Sequence, residues 1–170
     1  MIHAITGDAT DPVGGGIKFI AHCCNDIGAW GAGFVLALNQ NLGPKPALYY
    51  KQWRALGDMA RGTAKPFALG HVQYVAVDQT LIMCNIIAQH DIHRSRYLRR
   101  PPIRYSALRQ GLEEVCDKMQ VVSEVMNQPV SLHCPRLGCG LAGGDWPRVY
   151  EILDEVFEPT RTPVYVYQLP

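Results

Sequence analysis

The chain has 170 residues, of which 48% are apolar and 18% are charged, and its formal net charge is +1. This length and composition suit one globular unit with its own hydrophobic core, so we expect a single domain across residues 1–170. The near-neutral charge disfavours non-specific binding to nucleic acid, which depends on a basic surface. No apolar run approaches the ~18 residues that span a bilayer, and the N-terminus lacks the basic and apolar stretches of a signal peptide.

Short strand-like runs alternate with helical patterns along the chain. Strands are predicted at residues 2–6, 17–24, 69–77, 80–88, 129–134 and 164–168. Helices are predicted at residues 33–41 and 46–56, from Tyr105 or Ser106 onward, and from Trp146 onward. This alternation predicts an α/β domain with a mixed sheet and helices on both faces.

Local signals support three of these assignments. The third helix has apolar residues at three- and four-residue steps from Leu108 to Val122. Asp145 is the expected N-cap of the last helix, with Pro147 in its first turn. Residues 78 and 79 would join two of the strands as a hairpin.

The six cysteines show neither CxxC pairs nor Cys/His spacings typical of zinc sites. Several lie in apolar runs, as Cys84 does, where a thiol is usually a small buried hydrophobe. Reduced thiols point to the cytoplasm. We therefore expect a cytoplasmic monomer that holds no metal and no cofactor and does not bind a membrane.

Two glycine-rich segments, residues 26–34 and 135–146, each follow a predicted strand and precede a predicted helix. Ligands of open α/β sheets bind at such junctions, where glycines allow close approach and consecutive N–H groups can hold an anion. Neither segment has the Walker or the GxGxxG spacing. Two such loops facing each other would clamp a diphosphate; the alternative is that each is only a tight connection.

A basic run lies between the fourth strand and the third helix. Its arginines are Arg94, Arg96, Arg99, Arg100 and Arg104. The run is typical of a solvated loop, and the alternative is a local landing site for an anionic ligand or a modified partner.

Three strings resemble the macrodomain family. They are Gly-Asp-Ala-Thr at residues 7–10, His-Cys-Cys-Asn-Asp at 22–26 with Trp-Gly-Ala-Gly-Phe at 30–34, and Pro-Arg-Leu-Gly-Cys-Gly-Leu at 135–141. The similarity runs from Ile5 to Tyr167 and is greatest to the branch of the terminal ADP-ribose protein glycohydrolase and the Appr-1-p processing proteins. It implies a three-layer α/β/α sandwich with a central mixed sheet of about six strands, and ADP-ribose as the ligand.

The resemblance also implies how the ligand is held. Asp8 would accept a hydrogen bond from the adenine amino group, Ala9 would donate its N–H to the ring, and Tyr167 would pack against it. Backbone N–H groups of residues 31–35 and 137–141 would hold the diphosphate. The implied ligand-binding residues are Gly7, Asp8, Ala9, His22, Trp30, Gly31, Ala32, Gly33, Phe34, Val35, Pro135, Arg136, Leu137, Gly138, Cys139, Gly140, Leu141 and Tyr167. The alternatives are a turn for Asp8 and core packing for Tyr167 and His22.

The catalytic residues are less well defined by the resemblance. The glycohydrolase branch uses a lysine and an aspartate at positions that hold Gln89 and Ala142 here, and Gln89 has no amine to form a lysine adduct, so the resemblance does not imply that mechanism for this chain. Asn25 and Asp26 would lie near the distal ribose, and Asp145 would activate a water unless it only caps its helix. The candidate catalytic residues are Asp145, Asp26, Asn25 and His90, the last as an acid–base group.

Cys139 lies among amide donors that would lower its thiol pKa. It is nevertheless interpreted as a packing residue, because the family uses no cysteine nucleophile.

The leading functional hypothesis is hydrolysis of ADP-ribose from modified proteins, at an acidic side-chain ester or a related linkage. The alternatives are a reader that binds ADP-ribose without turnover, a phosphatase acting on ADP-ribose-1″-phosphate and, outside the family, a generic nucleotide-binding domain. The expected partner is ADP-ribose or an ADP-ribosylated protein; nucleic acid is a target only if it is itself modified.

Overall fold

A computed structural model describes residues 1–92 and 100–170 of the chain. Its strands are β1 (Ile2–Thr6), β2 (Ile17–Asn25), β3 (Val72–Ala76), β4 (Leu81–Gln89), β5 (Val130–Cys134) and β6 (Val164–Gln168). Its α-helices are α1 (Phe34–Leu42), α2 (Lys45–Leu56), α3 (Tyr105–Met126) and α4 (Trp146–Phe157), and single 3-10 turns follow α2 and α4.

All six strands form one mixed sheet in the order β1-β6-β5-β2-β4-β3. Every neighbouring pair is parallel except β3 and β4, which are antiparallel as a hairpin requires. The predicted α/β class and mixed six-stranded sheet are confirmed. Five strands therefore end at one edge of the sheet, where ligands of such folds bind.

Helices cover both faces because the side chains of the central strands alternate between two cores. On β4, Cys84 and Ile86 pack in one cluster with Leu112 of α3. Met83, which precedes Cys84, packs with Leu38 of α1 in another. Apolar residues of α4 join the first cluster, so α3 and α4 share one face and α1 and α2 lie on the other.

The largest departure from the predicted bounds is at β3, which begins at Val72 and not at residue 69. Gly70 has a φ of 87°, a left-handed conformation that strand pairing does not accommodate. Other bounds move by one or two residues. Within the described ranges, no helix is both long and apolar enough to cross a membrane.

Candidate functional site

The two glycine-rich loops leave the carboxyl ends of β2 and β5, which are parallel neighbours in the sheet. They enclose a cleft of about 590 Å³. A methyl group at Gly33 would lie 3.8 Å from the side chain of Leu141, so the loops approach each other across the cleft. The predicted ligand-binding residues that line it are His22, Trp30, Gly31, Ala32, Gly33, Phe34, Val35, Pro135, Arg136, Leu137, Gly138, Gly140 and Leu141.

Asn25 shapes the first loop. Its Oδ1 accepts hydrogen bonds from the N–H groups of Ile27 (3.2 Å) and Ala29 (2.9 Å), while its Nδ2 donates to Ala29 O at 2.7 Å. The hydroxyl of Tyr50 donates to the Asn25 carbonyl at 2.5 Å and lies 2.9 Å from Oδ1. Asn25 lines the cleft, but its polar atoms already hold the loop in place.

Both loops present N–H groups that the fold does not use. In the first loop, the N–H groups of residues 31–35 donate to no carbonyl or side chain that the structure describes. In the second, three N–H groups bond within the loop: Cys139 to Arg136 O, Gly143 to Gly140 O and Gly144 to Gly138 O. Those of Gly138, Gly140 and Leu141 have no acceptor in the described part of the chain.

Charge in the cleft is sparse. Among its described lining residues, Arg136 is the one with an ionised side chain. Its guanidinium lies over the ring of Trp146, 5.3 Å from the centroid, and it donates to Gln168 Oε1 at 3.4 Å. An anion in this cleft would therefore rely on backbone N–H groups and on one arginine.

Two predicted catalytic residues meet at the end of β4. His90 Nδ1 lies 2.7 Å from Asp26 Oδ2, and the other carboxylate oxygen accepts the N–H of Asp91 at 2.8 Å. A carboxylate only accepts, so Nδ1 of His90 carries the hydrogen that it donates to Asp26. The imidazole is half-exposed. Gln89, which precedes it, lines the cleft, whereas His90 and Asp26 are not among the described lining residues.

Asp145 lies elsewhere. It occupies the N-cap position of α4, as expected, but its side chain makes no capping hydrogen bond. Its backbone N–H donates to the hydroxyl of Tyr105 at 2.9 Å. The exposed carboxylate is not among the described residues that line the cleft, and its role as a general base stays a prediction.

The predicted adenine residues also lie outside that lining. The carboxylate of Asp8 accepts from the N–H and hydroxyl of Thr10 at 2.9 and 2.7 Å, as in a turn, and from Asn41 at 3.3 Å. Ala9 is buried. Tyr167 is also buried: its hydroxyl accepts the N–H of Val13 at 3.0 Å and lies 2.7 Å from Nδ1 of His133.

Gly7 lies against the Tyr167 ring, since a methyl group there would come within 3.6 Å of it. The arrangement matches the core-packing alternative for Tyr167, and adenine contacts by these residues stay a prediction.

The thiols at and beside the cleft are un-ionised; Cys139, in the second loop, is not among the described lining residues. Burial raises the pKa of Cys23, which lines the cleft, to about 12. Burial also raises the pKa of Cys139, outweighing the attraction of Arg136. The lowered pKa expected for Cys139 is therefore wrong, because its sulphur is partly buried against the core and the neighbouring amides do not compensate.

Some lining residues were not predicted from the sequence as ligand-binding. Gln89 and Ala142, where the resemblance implies a lysine and an aspartate, both line the cleft. Ile92 also lines it, and no sequence signal marked it. In the arginine-rich run, residues 93–99 lie outside the described residues; Arg104 donates to the carbonyl of Pro101 at 2.6 Å.

No family model matches the sequence. Solved structures do: a protein of unknown function from Bacteroides thetaiotaomicron is 42% identical with a TM-score of 0.84, and the match covers 98% of this chain and 97% of that one. A macrodomain protein from Streptomyces coelicolor is 38% identical with a TM-score of 0.77, and the match covers 99% of each chain.

Two more distant proteins share the fold or part of the sequence. Thermosipho africanus DarTG in complex with ADP-ribose is 14% identical with a TM-score of 0.65, over 91% of this chain and 38% of that one. Mouse chromodomain-helicase-DNA-binding protein 1-like is 25% identical over 170 residues, so that the chain spans 18% of the length of this curated relative.

Proposed function

The chain belongs to the macrodomain family, and on that premise we propose that it binds ADP-ribose in the cleft and hydrolyses ADP-ribose from modified proteins. The observation that carries the proposal is the pair of loops whose unused N–H groups border one cleft. The complex of Thermosipho DarTG with ADP-ribose, which shares the fold, supports the choice of ligand.

In the proposed complex the diphosphate lies between the loops. The N–H groups of residues 31–35 bind it from one side and those of Gly138, Gly140 and Leu141 from the other, with Arg136 offsetting part of the charge. Backbone donors at the start of α1 need no rearrangement to receive an anion. A diphosphate held in this way orients the distal ribose for reaction.

In the proposed reaction a water attacks C1″ of the distal ribose. The new bond is from the water oxygen to C1″, and the bond from C1″ to the acidic side chain of the modified protein breaks. That side chain leaves as a carboxylate, and the water's proton passes to Nε2 of His90. Asp26 accepts the His90 Nδ1–H at 2.7 Å and would steady the imidazolium that forms. We favour His90 as base over Asp145 because His90 directly follows a cleft residue.

The proposal is tested by release of ADP-ribose from an auto-modified protein, beside calorimetry with ADP-ribose. His90→Ala should lower the rate about 10²–10⁴-fold, the usual contribution of a general base, with affinity near that of the wild type. Asp145→Ala and His71→Ala should keep the wild-type rate. No binding of ADP-ribose at millimolar concentration would reject the whole proposal. If Asp145→Ala released ADP-ribose slowly while His90→Ala kept the wild-type rate, the assignment of the base would be rejected.

A second candidate is a reader that holds ADP-ribose without turnover. It is favoured by Gln89 and Ala142 at the positions where the glycohydrolase branch has its lysine and aspartate. Tight binding with no release of ADP-ribose, and no phosphate release from ADP-ribose-1″-phosphate, would support the reader. Phosphate release alone would support the phosphatase alternative.

A further inference from the structure

The floor of the cleft holds one end of a buried chain of polar side chains. His22 of β2, Asn85 of β4 and Gln73 of β3 are 1%, 0% and 0% exposed. His22 also lines the cleft, while Gln73 lies on β3, the edge strand of the sheet. The direction of each hydrogen bond along this row of side chains decides whether the ring nitrogens of His22 can donate to a ligand or accept from it.

The direction is set at the Gln73 end. One atom of its amide lies 2.8 Å from the carbonyl of Tyr49 and 2.9 Å from that of Arg61, and only a nitrogen can donate to both. Its oxygen therefore faces Asn85, at 3.1 Å. The Asn85 atom on that side also faces the carbonyl of Pro46, at 3.4 Å, so it too is the amide nitrogen.

The Asn85 oxygen is consequently turned toward His22, 2.5 Å from Nε2. An amide oxygen only accepts, so Nε2 carries the hydrogen. Burial lowers the pKa of His22 to about 4, which keeps the ring neutral at pH 7. A neutral imidazole protonated at Nε2 has a free lone pair at Nδ1.

Nδ1 has no strong partner within the described residues. The sulphur of Cys24 is 3.9 Å from Nδ1 and 3.6 Å from Nε2, so it lies beside the ring and not in line with the Nδ1 lone pair. The thiol is also a weak donor. Around the ring stand Trp30, edge-on at 5.2 Å, and Phe34 at 6.0 Å, both of which line the cleft.

We propose that Nδ1 of His22 accepts a hydrogen bond from a ribose hydroxyl of the bound ligand, and so marks a sugar subsite in the cleft. The inference rests on the proposed function. The doubly esterified diphosphate of ADP-ribose is fully ionised at pH 7 and has no hydrogen to donate, so a lone pair at Nδ1 disfavours it, whereas a ribose hydroxyl supplies the missing donor. In the proposed complex His22 therefore contacts the sugar, while the N–H groups of the two loops bind the diphosphate.

Two substitutions of His22 test the two ring nitrogens separately. Glutamine places an amide nitrogen where Nε2 stands and can keep the bond to Asn85, but it has no acceptor at the Nδ1 position. Asparagine places an acceptor at the Nδ1 position and leaves Asn85 without its donor. His71→Gln is the matched control, because His71 bonds the carbonyl of Pro66 at 2.7 Å and lies outside the cleft lining that the structure describes.

The experiment is calorimetry at pH 7 with ADP-ribose, with inorganic pyrophosphate as competitor, beside thermal melts. His22→Gln should raise the Kd for ADP-ribose about tenfold, the effect of losing one neutral hydrogen bond. The affinity for pyrophosphate, measured by competition, should stay unchanged. His22→Asn should melt at a lower temperature yet bind ADP-ribose more tightly than His22→Gln does. His71→Gln should bind like the wild type.

Nitrogen NMR of the His22 ring gives a readout that does not depend on turnover. The free protein should show hydrogen on Nε2 and none on Nδ1, and added ADP-ribose should shift the Nδ1 resonance. Hydrogen on Nδ1 would overturn the inference. So would wild-type affinity for ADP-ribose in His22→Gln, or an equal loss of affinity for ADP-ribose and for pyrophosphate. If the wild type itself bound no ADP-ribose, the proposed function would fail first; binding that His22→Gln leaves intact would reject only the sugar subsite.

Discussion

Replacing Gly33 with alanine should damage ligand binding more than it damages the fold. Gly33 is the N-cap of α1, with φ 75° and ψ −141°, a conformation nearly closed to other residues. An added methyl would meet Leu141 only at an ordinary 3.8 Å, so the cost lies in the backbone. Such strain is of order 1–3 kcal/mol.

The loop can relieve this strain only by rotating the peptides next to Gly33, and those peptides carry N–H groups assigned to the diphosphate. If the free loop relaxes and ligand binding restores the strained conformation, a strain of 1–3 kcal/mol corresponds to roughly a 5- to 150-fold rise in the Kd for ADP-ribose. The measurement is calorimetry with ADP-ribose at constant salt, beside a thermal melt.

Gly43→Ala is the matched control at the other end of the same helix. Gly43 has φ 81° and ψ −172°, with open space around its α-carbon, and it is absent from the described cleft lining. Each variant should lower Tm by roughly 2–10 °C for a chain of this size. Equal Kd changes in the two variants, or a wild-type Kd for Gly33→Ala with a lowered Tm, would refute the reasoning.

Three further predictions concern stability. Burial lowers the pKa of both His22 and His133 from 6.5 to about 4. The unfolded chain therefore binds their protons first as pH falls, and the free energy of unfolding should drop between pH 6.5 and 4 by up to about 3 kcal/mol per residue, which urea melts across that range would measure. Asn85→Ala should cost about 2–4 kcal/mol in the same melts, because it leaves buried groups on both sides of Asn85 without partners. Gly111→Ala should destabilise α3 although alanine favours helices: its methyl would stand 2.4 Å from Cγ2 of the buried Ile86, and overpacking costs about 1–3 kcal/mol against a propensity gain of about 1.

Each of these can fail on its own. A free energy of unfolding that stays level from pH 6.5 to 4 would show that neither histidine is kept neutral by the fold. A wild-type midpoint for Asn85→Ala would contradict the buried polar chain, and a raised midpoint for Gly111→Ala would show that the helix and β4 can separate at no cost.

Much of the architecture follows from local sequence. Apolar alternation and helical periodicity predicted the six strands and four helices to within a few residues, since one buried face is enough to impose a period of two or of 3.6. The glycine-rich loops were located in the same way, because a strand, a glycine-rich run and a helix are adjacent in the chain. The bounds of β3 were missed because the left-handed conformation of Gly70 depends on its packing beside α3, where it contacts Gln110.

Only the tertiary structure decided which polar groups meet. Asp26 and His90 are far apart in sequence, and their contact depends on β2 and β4 being neighbours in the sheet. For Asp145, the turn that ends the second loop leaves the carboxylate on the surface. The sequence by itself determined the fold class, the two loops and a family resemblance. Burial and hydrogen-bond direction, which depend on the whole chain, decided that Nε2 of His22 donates to Asn85 and that the amide of Asn25 is used within its own loop.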